Sequence, residues 1–252
     1  MASAPAPILT FDSLDSTNAE ARRRAEQGEI GPLWITAARQ FAGKGRRGRA
    51  WVTETGGLAA TLLMTTERPL AEAGQLAFVA ALAVADLARA YVPPEAVRVK
   101  WPNDVLVNGL KISGILIESG PVREGLWAAI GIGVNLQAAP ETADRPAAAL
   151  GDFMTRRAPS AAEAMQVLAA AFERWLQVWN GGKFAQIRDA WTDQAQGLGE
   201  RCIARLPLET VEGIAEGLDT DGALQLRLPH GGTRRIAAGD VFFGGGADAA
   251  GD

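Results

Sequence analysis

Within the stretch FAGKGRRGRAW, residues 41–51, Lys44, Arg46, Arg47 and Arg49 alternate with Gly43, Gly45 and Gly48 before Trp51 closes the run. Glycines let backbone amides come close to an oxyanion, and ammonium and guanidinium groups give it charge-assisted hydrogen bonds. Binding of phosphate or carboxylate is the chemistry such a loop suits, and a solvated charge run is the plain alternative. Like charges repel, so the loop is expected to stay mobile until an anion neutralises it. The spacing Gly43-x-Gly45-x-x-Gly48 also satisfies a dinucleotide fingerprint, but that fingerprint needs a helix opening at the loop and an acidic residue roughly 20 positions on. Here RAWVTETGGLAATLL, a turn and a strand, follows instead. The Walker string GxxxxGK[ST] does not occur.

Other short stretches carry polar groups with a reason to matter. Ser16, Thr17 and Asn18 in LDSTN place three short hydrogen-bonding side chains in a row at a strand-to-helix turn, able to face a small polar ring or simply to cap the helix. In KWPNDV, residues 100–105, Pro102 keeps Trp101 out of helical geometry, and Asn103 and Asp104 follow at a turn, with or without a function. A lysine, an amide and a carboxylate at a strand edge would suit a nucleotide. In KISGILIES, Lys111 opens an apolar strand; turned inward it would need an anion to stay charged, and Gly114 signals close approach of a ligand or another backbone. GIGVNL puts two glycines and Asn135 at a strand end, as a site or as a tight β-bulge. His230 sits in a turn and Cys202 has no nearby base, so a Cys/His nucleophile, a transition-metal site and a Ser/His/Asp triad all lack their parts.

The elements that must position these groups can be read from periodicity. PILTFDSLDS reads as a strand, STNAEARRRAEQG as a helix with a Thr17/Glu20 capping box and a Gly28 stop, and LWITAARQ as a strand delivering the chain into the basic loop. LAATLLMTTE is strand-like and residues 72–91 form a helix ended by Pro93-Pro94. VRVKWPNDVLVNGLKISGILIES alternates around a hairpin signal at Asn108-Gly109, and LWAAIGIGVNL is a further strand. A Pro- and Ala-rich connection over 137–159 leads to helices near 160–180 and 183–196. From Gly197 the chain changes to short alternating segments joined by Asp221-Gly222 and Gly231-Gly232, the pattern of a small β-barrel or sandwich, and GGGADAAGD reads as disordered. The expected domains are therefore 1–196 and 197–247.

Composition bounds the function. The chain has 252 residues, 48% hydrophobic and 21% charged, enough for a sizeable core. A net charge of −4 argues against a general nucleic-acid binder, so the basic loop is a local feature. A lone cysteine excludes an internal disulfide. The start lacks a secretory pattern, and LAFVAALAVADLARAYV is broken by Asp86 and Arg89, so no membrane span is expected and the expected compartment is the cytoplasm.

Taken in order, DSTN, GKGRRGRAW, KWPNDV, KISGILIES and GIGVNL resemble the biotin protein ligases, and GIAEGLDTDGALQL and AGDVFFG extend the resemblance into the small domain. The resemblance implies an α+β fold, with a mixed-sheet catalytic domain followed by an SH3-like barrel, and a ligase-only type, since about eight residues precede the first strand. It implies two half-reactions. Biotin and ATP, with Mg²⁺, give biotinyl-5′-adenylate and pyrophosphate; the adenylate then acylates one lysine of a biotin carboxyl carrier protein. Carried over by motif, Ser16, Thr17, Asn18 and Gln40 contact the biotin rings, while Gly45 and Arg46 close over biotin and adenylate. Arg49 and Trp51 face the nucleotide, Asn103 and Asn135 lie near phosphate, ribose or metal, and Gly114 approaches biotin. Lys111 bridges the biotin carboxylate and the α-phosphate, and Asp104 takes the proton from the acceptor lysine. Where the family usually has arginine this chain has Lys44, which keeps the charge for a biotin contact but loses the bidentate fork. Rival readings are a lipoate or octanoate ligase of the same superfamily and a non-catalytic biotin or adenylate sensor. Monomer and homodimer are both open.

Overall fold

The computed structural model describes residues 5–140 and 147–243. The first unit is built on a seven-stranded sheet: β1 (Ile8–Phe11), β2 (Leu33–Ala37), β3 (Leu58–Thr66), β4 (Val97–Lys100), β5 (Asp104–Val107), β6 (Leu110–Pro121) and β7 (Leu126–Val134). Their spatial order is β1-β2-β3-β7-β6-β5-β4. Only β1 and β2 run parallel; every other neighbouring pair is antiparallel, so the sheet is mixed.

The period of two along the central strands creates two faces with different tasks. Leu58, Ala60, Leu62 and Met64 of β3 and Ala128, Ile130, Ile132 and Val134 of β7 join the main core. Covering that face are α3 (Leu76–Arg89), α4 (Ala161–Asn180) and α5 (Phe184–Thr192), whose Leu82, Phe172 and Ile187 are buried in the same cluster. The intervening residues point the other way. There α1 (Thr17–Glu26) buries Ala21 and Ala25 against Ile35, Leu63 and Ala129. Because α1 covers only part of this second face, Ala59, Gly131 and Gly133 at and beyond its first turn line an open cleft.

The helix expected over 72–91 is two helices, α2 (Leu70–Ala73) and α3, divided at Gly74 and Gln75. Gln75 is buried and its amide oxygen accepts a bond from Trp179 Nε1 at 2.9 Å, which ties the break to α4. The Leu70–Arg89 segment has a mean hydropathy of 1.6, high enough to span a bilayer despite Asp86 and Arg89. Yet 67% of it is buried in the fold, the condition of a core helix. Helix α5 ends at Thr192 rather than near 196 because Gln194 and Gln196 exchange backbone hydrogen bonds with Val99 of β4. Asn108 (φ 49°) and Gly109 (φ 81°) form the two-residue hairpin turn between β5 and β6 that their types foretell.

After α5 the chain forms β8 (Arg201–Arg205), β9 (Thr210–Leu218), β10 (Leu224–Arg227), β11 (Thr233–Ile236) and β12 (Asp240–Phe243). These make an antiparallel SH3-like sheet in the order β11-β10-β9-β8-β12. Its apolar side, with Cys202, Ala215, Leu226 and Val241, is continuous with the main core. At the turn before β10, Gly222 (φ 94°) sits against Phe78 and Phe184, and its carbonyl accepts a hydrogen bond from Trp101 Nε1 at 3.0 Å. The terminal GGGADAAGD segment and residues 141–146 of the Pro/Ala-rich connection lie outside the described residues.

Candidate active site

One cleft of about 420 Å³ lies on the open part of the sheet, and every residue given a role by the motif resemblance lines it: Ser16, Thr17, Asn18, Gln40, Lys44, Gly45, Arg46, Arg49, Trp51, Asn103, Asp104, Lys111, Gly114 and Asn135; Gly43, Arg47 and Gly48 of the basic loop do not. They come from the start of α1, the basic loop, the turn before β5, strand β6 and the end of β7.

At one end is a recess of neutral polar groups. The Thr17/Glu20 capping box does not form: Ser16 is the N-cap residue, and Glu20 instead pairs with Arg23 and Arg24. Thr17 is left to the cleft, where its backbone N–H donates to Gln40 Oε1 at 2.8 Å. Asn18 is buried; its Oδ1 accepts from Thr61 at 2.7 Å and its Nδ2 donates to Glu118 at 2.7 Å. The Asn18 amide packs against Gly131, where a Cβ would overlap its oxygen. Gly133, two residues on, carries the indole of Trp51 in the same way. The register of β7 is unbroken against both neighbours, so these glycines serve close approach and no β-bulge. Trp51 Nε1 is buried there without a hydrogen-bond partner among the described residues.

At the other end is the basic loop. Besides any external anion, the protein supplies this loop with a counter-charge of its own. Asp240, at the start of β12, accepts hydrogen bonds from Arg47 at 3.2 Å and Arg49 at 3.0 Å. Arg46 donates to the Gly239 carbonyl at 3.3 Å and to Asn103 Oδ1 at 3.1 Å, joining the loop to both the small domain and the KWPND turn. Burial pulls the Arg46 guanidinium below its usual pKa, opposed by the charges of Asp240 and Asp104.

Between the two ends, Lys111 Nζ lies 2.6 Å from Asp104 Oδ1. Asp104 is buried, which gives the pair a water-poor setting. Asn103 Nδ2 donates to the Ile115 carbonyl, and Asn135 Nδ2 donates to the Ala148 carbonyl at 3.2 Å. Both amides thus hold local backbone. Among the described residues no group of three or more His, Cys, Asp or Glu could hold a metal ion. His230 is exposed in its turn, and burial pushes the Cys202 thiol up to about 11, leaving both outside the chemistry.

Sequence reasoning missed Thr61 and Glu118, and gave Asp240 no role in the site. Thr61 stood in an apolar strand, where its alternation with Leu62 was the only signal of its face. Asp240 is 191 positions from Arg49, and nothing local announces that contact.

The model of the biotin/lipoate A/B protein ligase family matches residues 10–135, and that of the biotin protein ligase C-terminal domain matches residues 197–244. A biotin–[acetyl-CoA-carboxylase] ligase of Paracoccus denitrificans is 46% identical over 239 residues, covering 92% of this chain and 98% of the relative. The chain belongs to the biotin protein ligase family. A biotin–[acetyl-CoA-carboxylase] ligase of Mycobacterium tuberculosis is 32% identical, covering 90% of this chain and 85% of the relative. Among solved structures, a biotin protein ligase of Aquifex aeolicus with biotin and ATP shares the fold with a TM-score of 0.76 at 23% identity, covering 94% of this chain and 98% of that one. One of Leishmania major with biotinyl-5-AMP has a TM-score of 0.55 at 25% identity, covering 93% of this chain and 100% of that one. As a biotin protein ligase, the chain has the mixed-sheet catalytic fold and the SH3-like C-terminal domain that the motif resemblance implies.

Proposed function

We propose that this biotin protein ligase forms biotinyl-5′-adenylate from biotin and ATP and transfers biotin to one lysine of the carrier domain of a biotin-dependent carboxylase, in the cytoplasm. The observation that carries the reading is the Lys111–Asp104 pair, set between a neutral polar recess and a cationic loop within one cleft. A biotin ring system suits the recess, and a triphosphate suits the loop.

In the first half-reaction a carboxylate oxygen of biotin attacks the α-phosphorus of ATP, and the bond to pyrophosphate breaks. Two anions must meet, and Lys111, turning from Asp104, neutralises both as charge builds on the phosphoryl oxygens. Arg46 and Arg49 hold the phosphates, while Gly45 lets the loop backbone lie close to them. Trp51 offers an apolar wall to the nucleotide, and Asn103 and Asn135 keep the turn and the β7 end in shape around it. Lys44, exposed on the rim, adds charge near the biotin carboxylate. Magnesium would enter as the MgATP substrate and would screen the phosphate charge during the attack.

In the second half-reaction the acceptor amine attacks the acyl carbon and AMP leaves. That amine must be neutral, and Asp104, released from Lys111, is the carboxylate placed to take its proton. The test is ATP–pyrophosphate exchange with biotin, lipoate and octanoate in parallel. Exchange with biotin alone supports the proposal. Exchange with the fatty acids moves the chain to lipoyl chemistry, and no exchange leaves a binding module.

A further inference from the structure

Thr61 is fully buried on β3 and does not line the cleft, yet its hydroxyl lies 2.7 Å from Asn18 Oδ1 and 2.8 Å from Thr17 Oγ1. A hydroxyl has one hydrogen to give. An amide oxygen can only accept, so the contact with Asn18 takes the Thr61 hydrogen. The contact with Thr17 then needs the hydrogen of Thr17, donated to Thr61. What fixes the amide orientation is Glu118, whose carboxylate accepts from Asn18 Nδ2 at 2.7 Å while the Leu116 carbonyl accepts at 3.4 Å. Gln40 Oε1 lies 3.2 Å from the Thr17 hydroxyl and is already engaged by the Thr17 backbone N–H at 2.8 Å, so it does not need that hydrogen. Gln40 Nε2 donates onward to Thr53 at 3.2 Å.

The direction of the bonds from Asn18 to Thr17 therefore follows from one acidic group. Glu118 orients Asn18, Asn18 claims the hydrogen of Thr61, and Thr61 claims that of Thr17. Thr17 is left with a lone pair facing the cleft. We infer that Thr61, with Glu118 behind it, is a positioning residue that sets the hydrogen-bond polarity of the recess, so that Thr17 accepts a ring N–H of the ligand. The inference rests on biotin being that ligand: its ring urea carries two N–H groups and its valerate chain carries none.

The test uses Thr61→Val, which keeps the shape and removes the hydroxyl, and Thr61→Ser, which keeps the hydroxyl. Binding of biotin without ATP is measured by calorimetry, alongside binding of the two biotins methylated at one or other urea nitrogen. KM values for biotin and ATP come from pyrophosphate exchange. In Thr61→Val biotin binding falls about tenfold, the ATP KM stays within about twofold of wild type, and the penalty for urea methylation shrinks. Thr61→Ser restores wild-type behaviour. Unchanged biotin binding in Thr61→Val, an equal loss for ATP, or no recovery in Thr61→Ser overturns the inference. Should Thr61→Val fail to fold, Glu118→Leu carries the test, because it removes the acceptor that fixes the Asn18 amide and lets Asn18 turn over. It should show the same biotin-specific loss, and wild-type binding there overturns the inference. A wild-type protein that binds no biotin overturns the substrate reading along with it, whereas variants without effect leave that reading standing.

Discussion

Lys111 and Asp104 neutralise each other across 2.6 Å, so the two groups with the most direct parts in the proposed chemistry hold each other in reserve. The half-reactions should separate on mutation. Lys111→Ala is expected to cut biotin-dependent pyrophosphate exchange by about 10² to 10³. Asp104→Asn is expected to retain exchange and to slow transfer from preformed adenylate to the carrier by about 10² to 10⁴. Single-turnover assays of each half-reaction check this. Equal loss in both steps for Asp104→Asn would remove its role as base.

Asp240 holds the basic loop from the other domain. Each of its pairs with Arg47 and Arg49 is partly exposed, so each alone stabilises the fold by less than about 1 kcal/mol. Together they fix where the loop lies. Asp240→Asn should barely move the melting temperature but raise the ATP KM and let adenylate escape, read as a rise of roughly threefold to tenfold in biotin on bystander lysines. Bystander labelling at the wild-type level would show that the loop closes without this contact.

Gly133 has no room for a side chain beneath Trp51. Gly133→Ala should cost about 1–3 kcal/mol by displacing the indole, measured by thermal unfolding, and should weaken nucleotide binding. Gly217→Ala on β9 meets nothing within 4 Å and provides the neutral control.

Asp15 precedes the recess, and its carboxylate accepts two hydrogen bonds from Arg23 and one from Ser16 N–H, each at 2.8 Å. Chiefly through Arg23, its pKa is lowered from 3.8 to about 2. The folded pKa is below the unfolded one, so the stabilisation is present above about pH 4 and is lost as the pH falls through about 2. The stability gap between wild type and Asp15→Asn should accordingly narrow over that window, as read by denaturant titration at several pH values. A constant gap would mean that the carboxylate charge plays no part.

Sequence made the cleft lining legible where it was compressed into short runs. DSTN, the basic loop, KWPND and Lys111 could be picked out because their residue types are costly to place without a reason. The strands were readable by alternation, and the Asn108-Gly109 turn by its need for positive φ. What escaped depends on distant chain. The break between α2 and α3 goes with Gln75 meeting Trp179, and the counter-charge on the loop comes from Asp240. The capping box failed because Thr17 found better partners in Gln40 and Thr61, which no local pattern could announce.

Asp240 and Gly239 finish the loop end of the cleft while Asn18, Thr61 and Glu118 shape the recess, so the two ends of the site are drawn from separate stretches of chain. In synthesis order, Glu118 precedes by 122 residues the carboxylate that pairs with the loop. A chain lacking β12 would keep the residues of the recess and lose the carboxylate that pairs with Arg47 and Arg49.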